Sequence, residues 1–326
     1  MFSSKIRFWI RTFAFILAVY LTALFAEAQD SRPVVRLSIP SASSVFSMPF
    51  QIAQEQGFYR DEGLDVRVVQ GVKTATSIQM LVSGTVEASQ TVGTTTLAAI
   101  LQGAPLKVVM IFNDKPSYWL YSKKGVRSFA DLKGAKVGSF TPGSTGDRLL
   151  KIVLEKNRVD WKKDVTIVYI GTSELLMAAL LSGSVDAAAL TLPGNLVAQD
   201  SGFLELASFE SEVGALTGGV ATGEPFYSKR RDVLVRFLRA TLKGLKVFKN
   251  NRERSAKIMV SYMNIPYETA LRTYDASSPV FVSDGMISED FQEKVLDFQL
   301  RAIGTDKKVP RDKVFDFSIV KSLGTN

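Results

Sequence analysis

From residue 34 onward the apolar positions fall into two alternating rhythms. Runs at 34–39, 64–69 and 106–112 are short and rich in β-branched or aliphatic residues, and 87–90 is a short run of small residues; each predicts a strand. Between them, 48–56, 74–83 and 94–101 carry apolar residues at helical spacing. Ser47 is placed to cap the first of these helices, with Pro49 in its first turn, and Gly57 and Gly84 stop the first and second. The order then repeats, with strands at 135–139, 165–170 and 186–190 and helices at 144–156, 174–181 and 194–200. Such alternation predicts parallel sheets with helices on both faces.

Beyond about residue 231 the rhythm changes. Leu234, Val235, Leu238, Leu242, Leu245 and Phe248 share a helical period over 233–248, and further helices are expected near 253–263, 267–275 and 288–302. No strand is expected among them, so this block should cap one lobe, and 310–326 reads as an irregular tail with one short element. An internal repeat also stands out. Leu81-Val82-Ser83-Gly84-Thr85-Val86-Glu87-Ala88 matches Leu181-Ser182-Gly183-Ser184-Val185-Asp186-Ala187 with a one-residue slip. Each copy is a helix end, a glycine, an acidic residue and a small-residue strand, which implies two similar α/β lobes.

The N-terminus follows a different logic. Lys5, Arg7 and Arg11 precede an apolar run from Phe13 to Phe25, and Ala26-Glu27-Ala28 follows. This is the layout of a secretory signal peptide over 1–28, with cleavage before Gln29. About 13 apolar residues fall short of the ~20 that a spanning helix needs. Removing three basic residues and one acidic residue with the signal takes the formal charge from +8 to +6. No Cys follows the apolar run, so no lipid can be attached there, and a soluble periplasmic protein is expected.

Composition narrows the chemistry. The 326 residues include neither His nor Cys. Ser-His-Asp and Cys-His nucleophilic machinery, thiolate or imidazole zinc sites, iron–sulfur clusters and disulfides are therefore excluded. Catalysis would have to rest on carboxylates, Lys, Tyr or Ser-Lys pairs, or on an oxygen-ligated metal. No cofactor and no metal is expected. The basic excess is spread along the chain, with Arg230-Arg231 and Lys307-Lys308 as short pairs, and no nucleic-acid motif is present.

The stretch Phe50-Gln51-Ile52-Ala53-Gln54-Glu55-Gln56-Gly57-Phe58-Tyr59-Arg60-Asp61-Glu62-Gly63-Leu64-Asp65-Val66 resembles the substrate-binding proteins of nitrate/sulfonate/taurine-type ABC importers, a group with thiamine-precursor-binding relatives. Three further matches follow in order. They are Leu81-Val82-Ser83-Gly84 with Glu87, Phe129-Ala130-Asp131-Leu132-Lys133-Gly134, and Leu181-Ser182-Gly183 with Asp186. The resemblance covers most of the chain up to about 222. It implies a type II periplasmic binding protein fold, with two α/β lobes joined by two hinge crossings and the ligand cleft between them. The crossings would fall near 118–122 and 216–222. Lobe one would be 30–117 plus 220–326, with the C-terminal helical cap, and lobe two 118–219.

In open α/β sheets, ligands bind beyond the carboxyl ends of the strands. That rule selects four loops. In Ser41-Ala42-Ser43-Ser44-Val45-Phe46 the candidates are Ser43, Ser44 and Phe46, hydroxyls and an aromatic at a helix start. In Thr91-Val92-Gly93-Thr94-Thr95-Thr96 they are Thr91, Gly93 and Thr94, the glycine allowing close approach of backbone. In Phe140-Thr141-Pro142-Gly143-Ser144-Thr145-Gly146 they are Thr141, Gly143, Ser144 and Thr145, where free N–H groups meet the positive end of a helix. This loop lacks the Gly-Lys-Ser/Thr of a nucleotide site. The fourth loop, Thr191-Leu192-Pro193-Gly194, offers Thr191. Trp119, with Tyr118 and Phe46, would supply an aromatic wall, and Arg148 lies a turn into its helix. Ligand contact is favoured over a plain helix cap in the first three loops and stands level with it in the fourth, whereas each aromatic is more often simply core.

By its resemblance, then, the chain is expected to be a non-enzymatic, monomeric solute-binding component serving an ABC permease in the inner membrane. A small organic anion or heterocycle, such as a sulfonate, carboxylate or pyrimidine-like ring, would be its ligand. A ligand-sensing subunit docking on a membrane receptor is the alternative, and an enzyme on the same fold a third. Yeast-type pyrimidine synthase relatives rely on a His and a Cys-rich segment that this chain lacks. Mass spectrometry of the exported protein should find Gln29 as its first residue; a retained Lys5 would contradict the cleavage.

Overall fold

The computed structural model describes residues 32–41, 44–211, 215–303 and 309–324. The proposed signal peptide over 1–28 lies outside the described residues. Among the described residues no helix is long and apolar enough to cross a membrane.

Ten strands run, in chain order, β1 (Val34–Ser38), β2 (Asp65–Val69), β3 (Ala88–Thr91), β4 (Leu106–Ile111), β5 (Trp119–Ser122), β6 (Lys136–Phe140), β7 (Thr166–Gly171), β8 (Ala187–Leu190), β9 (Leu204–Ser208) and β10 (Gly218–Gly223). They form two five-stranded sheets, ordered β2-β1-β3-β10-β4 and β7-β6-β8-β5-β9. The helices of this α/β half are α1 (Met48–Glu55), α2 (Phe58–Asp61), α3 (Thr74–Ser83), α4 (Thr94–Leu101), α5 (Thr145–Lys156), α6 (Ser173–Leu181) and α7 (Gly194–Asp200). Each lies within a residue or two of the segment that periodicity predicts, apart from the one-turn α2. Ser47 does precede α1, but its hydroxyl donates to Gln90 Oε1 at 2.6 Å rather than capping the helix.

Neither sheet is purely parallel, as the strand–helix alternation predicts. β1 pairs parallel with β2 and β3, and β6 with β7 and β8. β5 and β10, however, run antiparallel to both of their neighbours. The chain leaves the first sheet at the carboxyl end of β4 and enters the second through β5. It leaves the second after β9 and returns through β10. A chain that enters a sheet at its carboxyl edge must run down it, against the strands that climb towards that edge. β10 is hidden from sequence patterning because three of its six buried residues are glycines, which carry no strand preference.

The internal repeat has a physical counterpart. Gly84 and Gly183, both at φ +73°, end α3 and α6 in the left-handed conformation that favours glycine. The acid of each copy then fastens the neighbouring strand. Glu87 N–H donates to the Arg36 carbonyl at 3.0 Å, and its Oε2 accepts the Arg36 N–H at 2.7 Å. Asp186 repeats this on Lys136, at 2.8 Å in both directions. Arg36 and Arg230 also ion-pair with Glu87, and Lys123 with Asp186.

The remaining helices are α8 (Glu224–Lys229), α9 (Arg231–Asn250), α10 (Arg252–Met263), α11 (Tyr267–Ser277), α12 (Glu289–Ile303), α13 (Arg311–Val314) and α14 (Ser318–Gly324). α9 packs on α1 and α2 through Phe237, which stacks on Phe50 and Tyr59 with centroids 6.3 and 5.5 Å apart. The tail holds two short helices rather than one element. It covers the edge of β4, where Asp316 N–H donates to the Val108 carbonyl at 3.0 Å. The helical block also reaches the second sheet. Arg272 of α11 grips Asp200 of α7 at 2.8 Å, and Phe298 of α12 packs into the second sheet's core.

Burial works against the Glu87 charge, but the hydrogen bonds and charge of Arg36, with Arg230 behind them, hold its carboxyl below the usual carboxylate range. A depressed folded pKa stabilises fully above the unfolded value of about 4.5, and that contribution is lost as pH falls through the folded pKa. Glu87→Gln should therefore cost about 1–3 kcal/mol in urea unfolding at pH 7, with the gap to wild type narrowing in acid. A gap independent of pH would contradict this.

Candidate functional site

The carboxyl edges of the two sheets face each other across a cavity of about 310 Å³. The wall from the first sheet comes from three turns. Ser41, Ser44 and Phe46 follow β1, Lys73 and Thr74 follow β2, and Gln90, Thr91, Gly93, Thr94 and Thr95 close β3 and open α4. The second sheet contributes Thr141, Ser144, Thr145 and Gly146 after β6, Thr172, Ser173, Glu174 and Leu175 after β7, and Thr191 after β8. The first residues of α3, α4, α5 and α6 are thus all in the lining. Each helix start brings N–H groups without an intrahelical partner and the positive end of the helix dipole.

Of the twelve candidates, nine line the cavity: Ser44, Phe46, Thr91, Gly93, Thr94, Thr141, Ser144, Thr145 and Thr191. Ser43 lies outside the described residues. Gly143 is not in the lining, though its carbonyl accepts the Thr95 hydroxyl at 3.2 Å. Trp119 lies in β5, 8% exposed, and does not reach the lining, while its neighbour Tyr118 does. Burial pushes the Tyr118 phenol up to about 12, against the pull of Thr217, so it stays a neutral hydroxyl. Phe46 lies in the wall with Phe281 stacked behind it at 5.5 Å. Arg148 donates to the Gly143 carbonyl at 3.4 Å and is not in the lining.

Many of the predicted hydroxyls are committed to holding the walls. Ser44 Oγ accepts the Phe46 N–H at 3.3 Å, and Ser144 Oγ that of Asp147 at 3.4 Å. Thr91 pairs with Ser89 at 2.8 Å. Buried Asp147 holds the 141–146 loop from behind, accepting from Gly143 N–H and Lys151 at 2.8 Å and from Ser139 at 3.1 Å. Ser173 exchanges hydrogen bonds with the backbone of Thr191, at 3.0 and 3.4 Å. Across the cleft, Ser41 donates to Glu174 Oε1 at 2.8 Å.

Two lining turns escaped the sequence reading. Lys73 and Thr74 follow β2, and residues 171–175 follow β7. Both come directly after strands that the pattern predicts, at 64–69 and 165–170. The rule that picks the carboxyl ends of strands selects these turns as well when applied to every strand. They supply the cavity's charged rims, Lys73 on one sheet and Glu174 on the other.

Residues 46–255 match the model of the family described as NMT1/THI5 like. A Haemophilus influenzae protein named for thiamine biosynthesis is 29% identical over 181 residues, 55% of each chain, so the match spans about half of that relative's length. A Saccharomyces cerevisiae 4-amino-5-hydroxymethyl-2-methylpyrimidine phosphate synthase is 28% identical over 96 residues, 28% of each chain. Among solved structures, a Bordetella bronchiseptica protein superposes with a TM-score of 0.78 at 21% identity, covering 91% of this chain and 98% of its own. The periplasmic aliphatic sulphonate binding protein SsuA of Escherichia coli does so at 0.67 and 19%, covering 89% and 100%. The fold is thus that of the periplasmic binding proteins.

Gly93 has an ordinary extended backbone, so its lack of a side chain serves close approach. A Cβ there would lie 2.2 Å from Thr145 Oγ1 and 2.8 Å from the Leu216 carbonyl oxygen. Gly93→Ala should lower unfolding stability by about 1–3 kcal/mol. Gly125→Ala, where a Cβ meets nothing within 4 Å, should be near neutral. Equal effects from the two variants would contradict the contact.

Proposed function

We propose that this chain, which belongs to the NMT1/THI5-like family, is the periplasmic solute-binding component of an ABC importer and takes a small organic anion or heterocycle into the cavity between its sheets. The observation that carries this reading is the convergence of four helix starts on one small cavity, with Lys73 at its rim. Partial positive charge from the helix ends and an ammonium group favour a negatively charged or electron-rich solute. Phe46, Tyr118, Phe140 and Ile170 give the same cavity apolar walls against which a flat ring can lie. The familial resemblance to sulfonate- and nitrate-type binding proteins agrees with the first of these features.

In this reading the hinges lie where the chain passes from β4 to β5 and from β9 to β10, just ahead of the paired strands at 119–122 and 218–223, with 30–117 and 220–326 as one lobe and 118–219 as the other. Solute binding draws the lobes together, and the closed form docks on a permease in the inner membrane. The chemistry required is recognition alone. The rim acid Glu174 is already engaged by Ser41, and among the described residues no second carboxylate lines the cavity to complete an acid–base pair.

A thermal-melt screen of residues 29–326 tests this, with alkanesulfonates, taurine, nitrate, aromatic carboxylates, pyrimidines and amino acids as the panel. A ligand at 100 times its dissociation constant adds about 2.7 kcal/mol, a shift of several degrees. For an anionic hit, Lys73→Met should weaken binding about two- to fivefold, as expected for an exposed charge, and less so at high salt. Binding of neutral solutes only, indifferent to Lys73→Met, would overturn the anion assignment. Turnover of a panel member would overturn the binding role.

A further inference from the structure

We infer that Thr145 is a positioning residue, a latch that joins the two walls of the cleft by capping α4 from the opposite sheet, and not a ligand contact. α4 begins at Thr94, and the residue before it is Gly93, which has no side chain to cap with. A side chain at that place usually serves the N–H of N2 or N3; here Thr145, the first residue of α5, reaches across and takes the N–H of N1, Thr94. Thr145 Oγ1 accepts the Thr94 N–H at 3.1 Å, meets Thr94 Oγ1 at 3.3 Å and donates to the Leu216 carbonyl at 3.3 Å. Gln299 Nε2 donates to Thr94 Oγ1 at 3.4 Å, leaving the Thr94 proton for Thr145.

These three bonds use the whole hydroxyl, which has one proton and two lone pairs. A solute in the cavity finds no free site on Thr145. The residue instead ties together the start of α4 on the first sheet, the start of α5 on the second and the segment leading into β10. The 2.2 Å that would separate a Gly93 Cβ from Thr145 Oγ1 shows how completely the hydroxyl fills the capping position. Opening the cleft must strip the Thr94 N–H of its partner. The latch therefore biases the solute-free protein towards the closed arrangement and slows escape of a bound solute. Only this last consequence rests on the solute-binding reading.

Hydrogen exchange on the solute-free, full-length folded protein tests the latch directly. First-turn helix amides have no intrahelical partner and exchange readily, so protection of the Thr94 amide in the wild type is a specific expectation. Thr145→Val keeps the shape and removes the hydroxyl; it should raise Thr94 exchange about fivefold or more and enlarge the radius of gyration in small-angle scattering. Thr145→Ser restores the hydroxyl and should restore protection. An unprotected Thr94 amide in the wild type overturns the inference whether or not Thr145→Val folds. So does a Thr145→Ser variant that exchanges as fast as Thr145→Val. If the melt screen yields a solute, its dissociation from Thr145→Val should be about five- to tenfold faster. Failure of the screen, with Thr94 protected and Thr145→Val deprotected, would count against the solute-binding reading and leave the latch standing.

Discussion

Every parallel strand that feeds a helix delivers unpaired N–H groups to the carboxyl edge of its sheet. Here two such edges face each other, and the molecule must satisfy or employ the donors of several helices in one confined space. Some are met by their own loops, as Ser144 does for α5. One is met from across the cleft, as Thr145 does for α4. The starts of α3, α4, α5 and α6 line a cavity with a cation at one rim and an acid at the other. The hydroxyl-rich, glycine-spaced composition of these loops follows from that constraint before any ligand is considered.

Holding two edges in register demands stiff sheets behind them. Glu87 and Asp186 do equivalent work in the two sheets, each locking the central strand to its neighbour through both backbone directions and a basic side chain. The duplicated helix–glycine–acid–strand segment is thus a structural joint repeated because the sheet is repeated. The C-terminal helices add a second tie, since α9 packs on α1 while Arg272 of α11 reaches Asp200 beyond the cleft.

Much of this was legible in the sequence. Helical and strand periods place α3 to α7 and the six parallel strands β1, β2, β3, β6, β7 and β8 closely, because most lie on an amphipathic or buried surface; β7, without a fully buried residue, shows only as an aliphatic run. What escaped detection did so for physical reasons. β10 carries Gly218, Gly219 and Gly223, so its strand state comes from its neighbours and not from its own preference. The antiparallel course of β5 follows from where the chain enters the sheet, which no local pattern encodes. Nine of twelve candidate residues reach the cavity because loop position at a strand end is set by topology. Which hydroxyls remain free within it is set by contacts 50 or more residues apart, such as Thr94 with Thr145, and these are invisible in one dimension.

On the proposed function the facing edges hold one small solute. Native mass spectrometry of the folded protein, titrated with organic anions and heterocycles, tests it most directly. We expect one adduct per chain, saturating at one to one, with a solute that carries negative charge or an electron-rich ring. No adduct with any such solute up to millimolar concentrations, or stepwise multiple adducts without saturation, would contradict it.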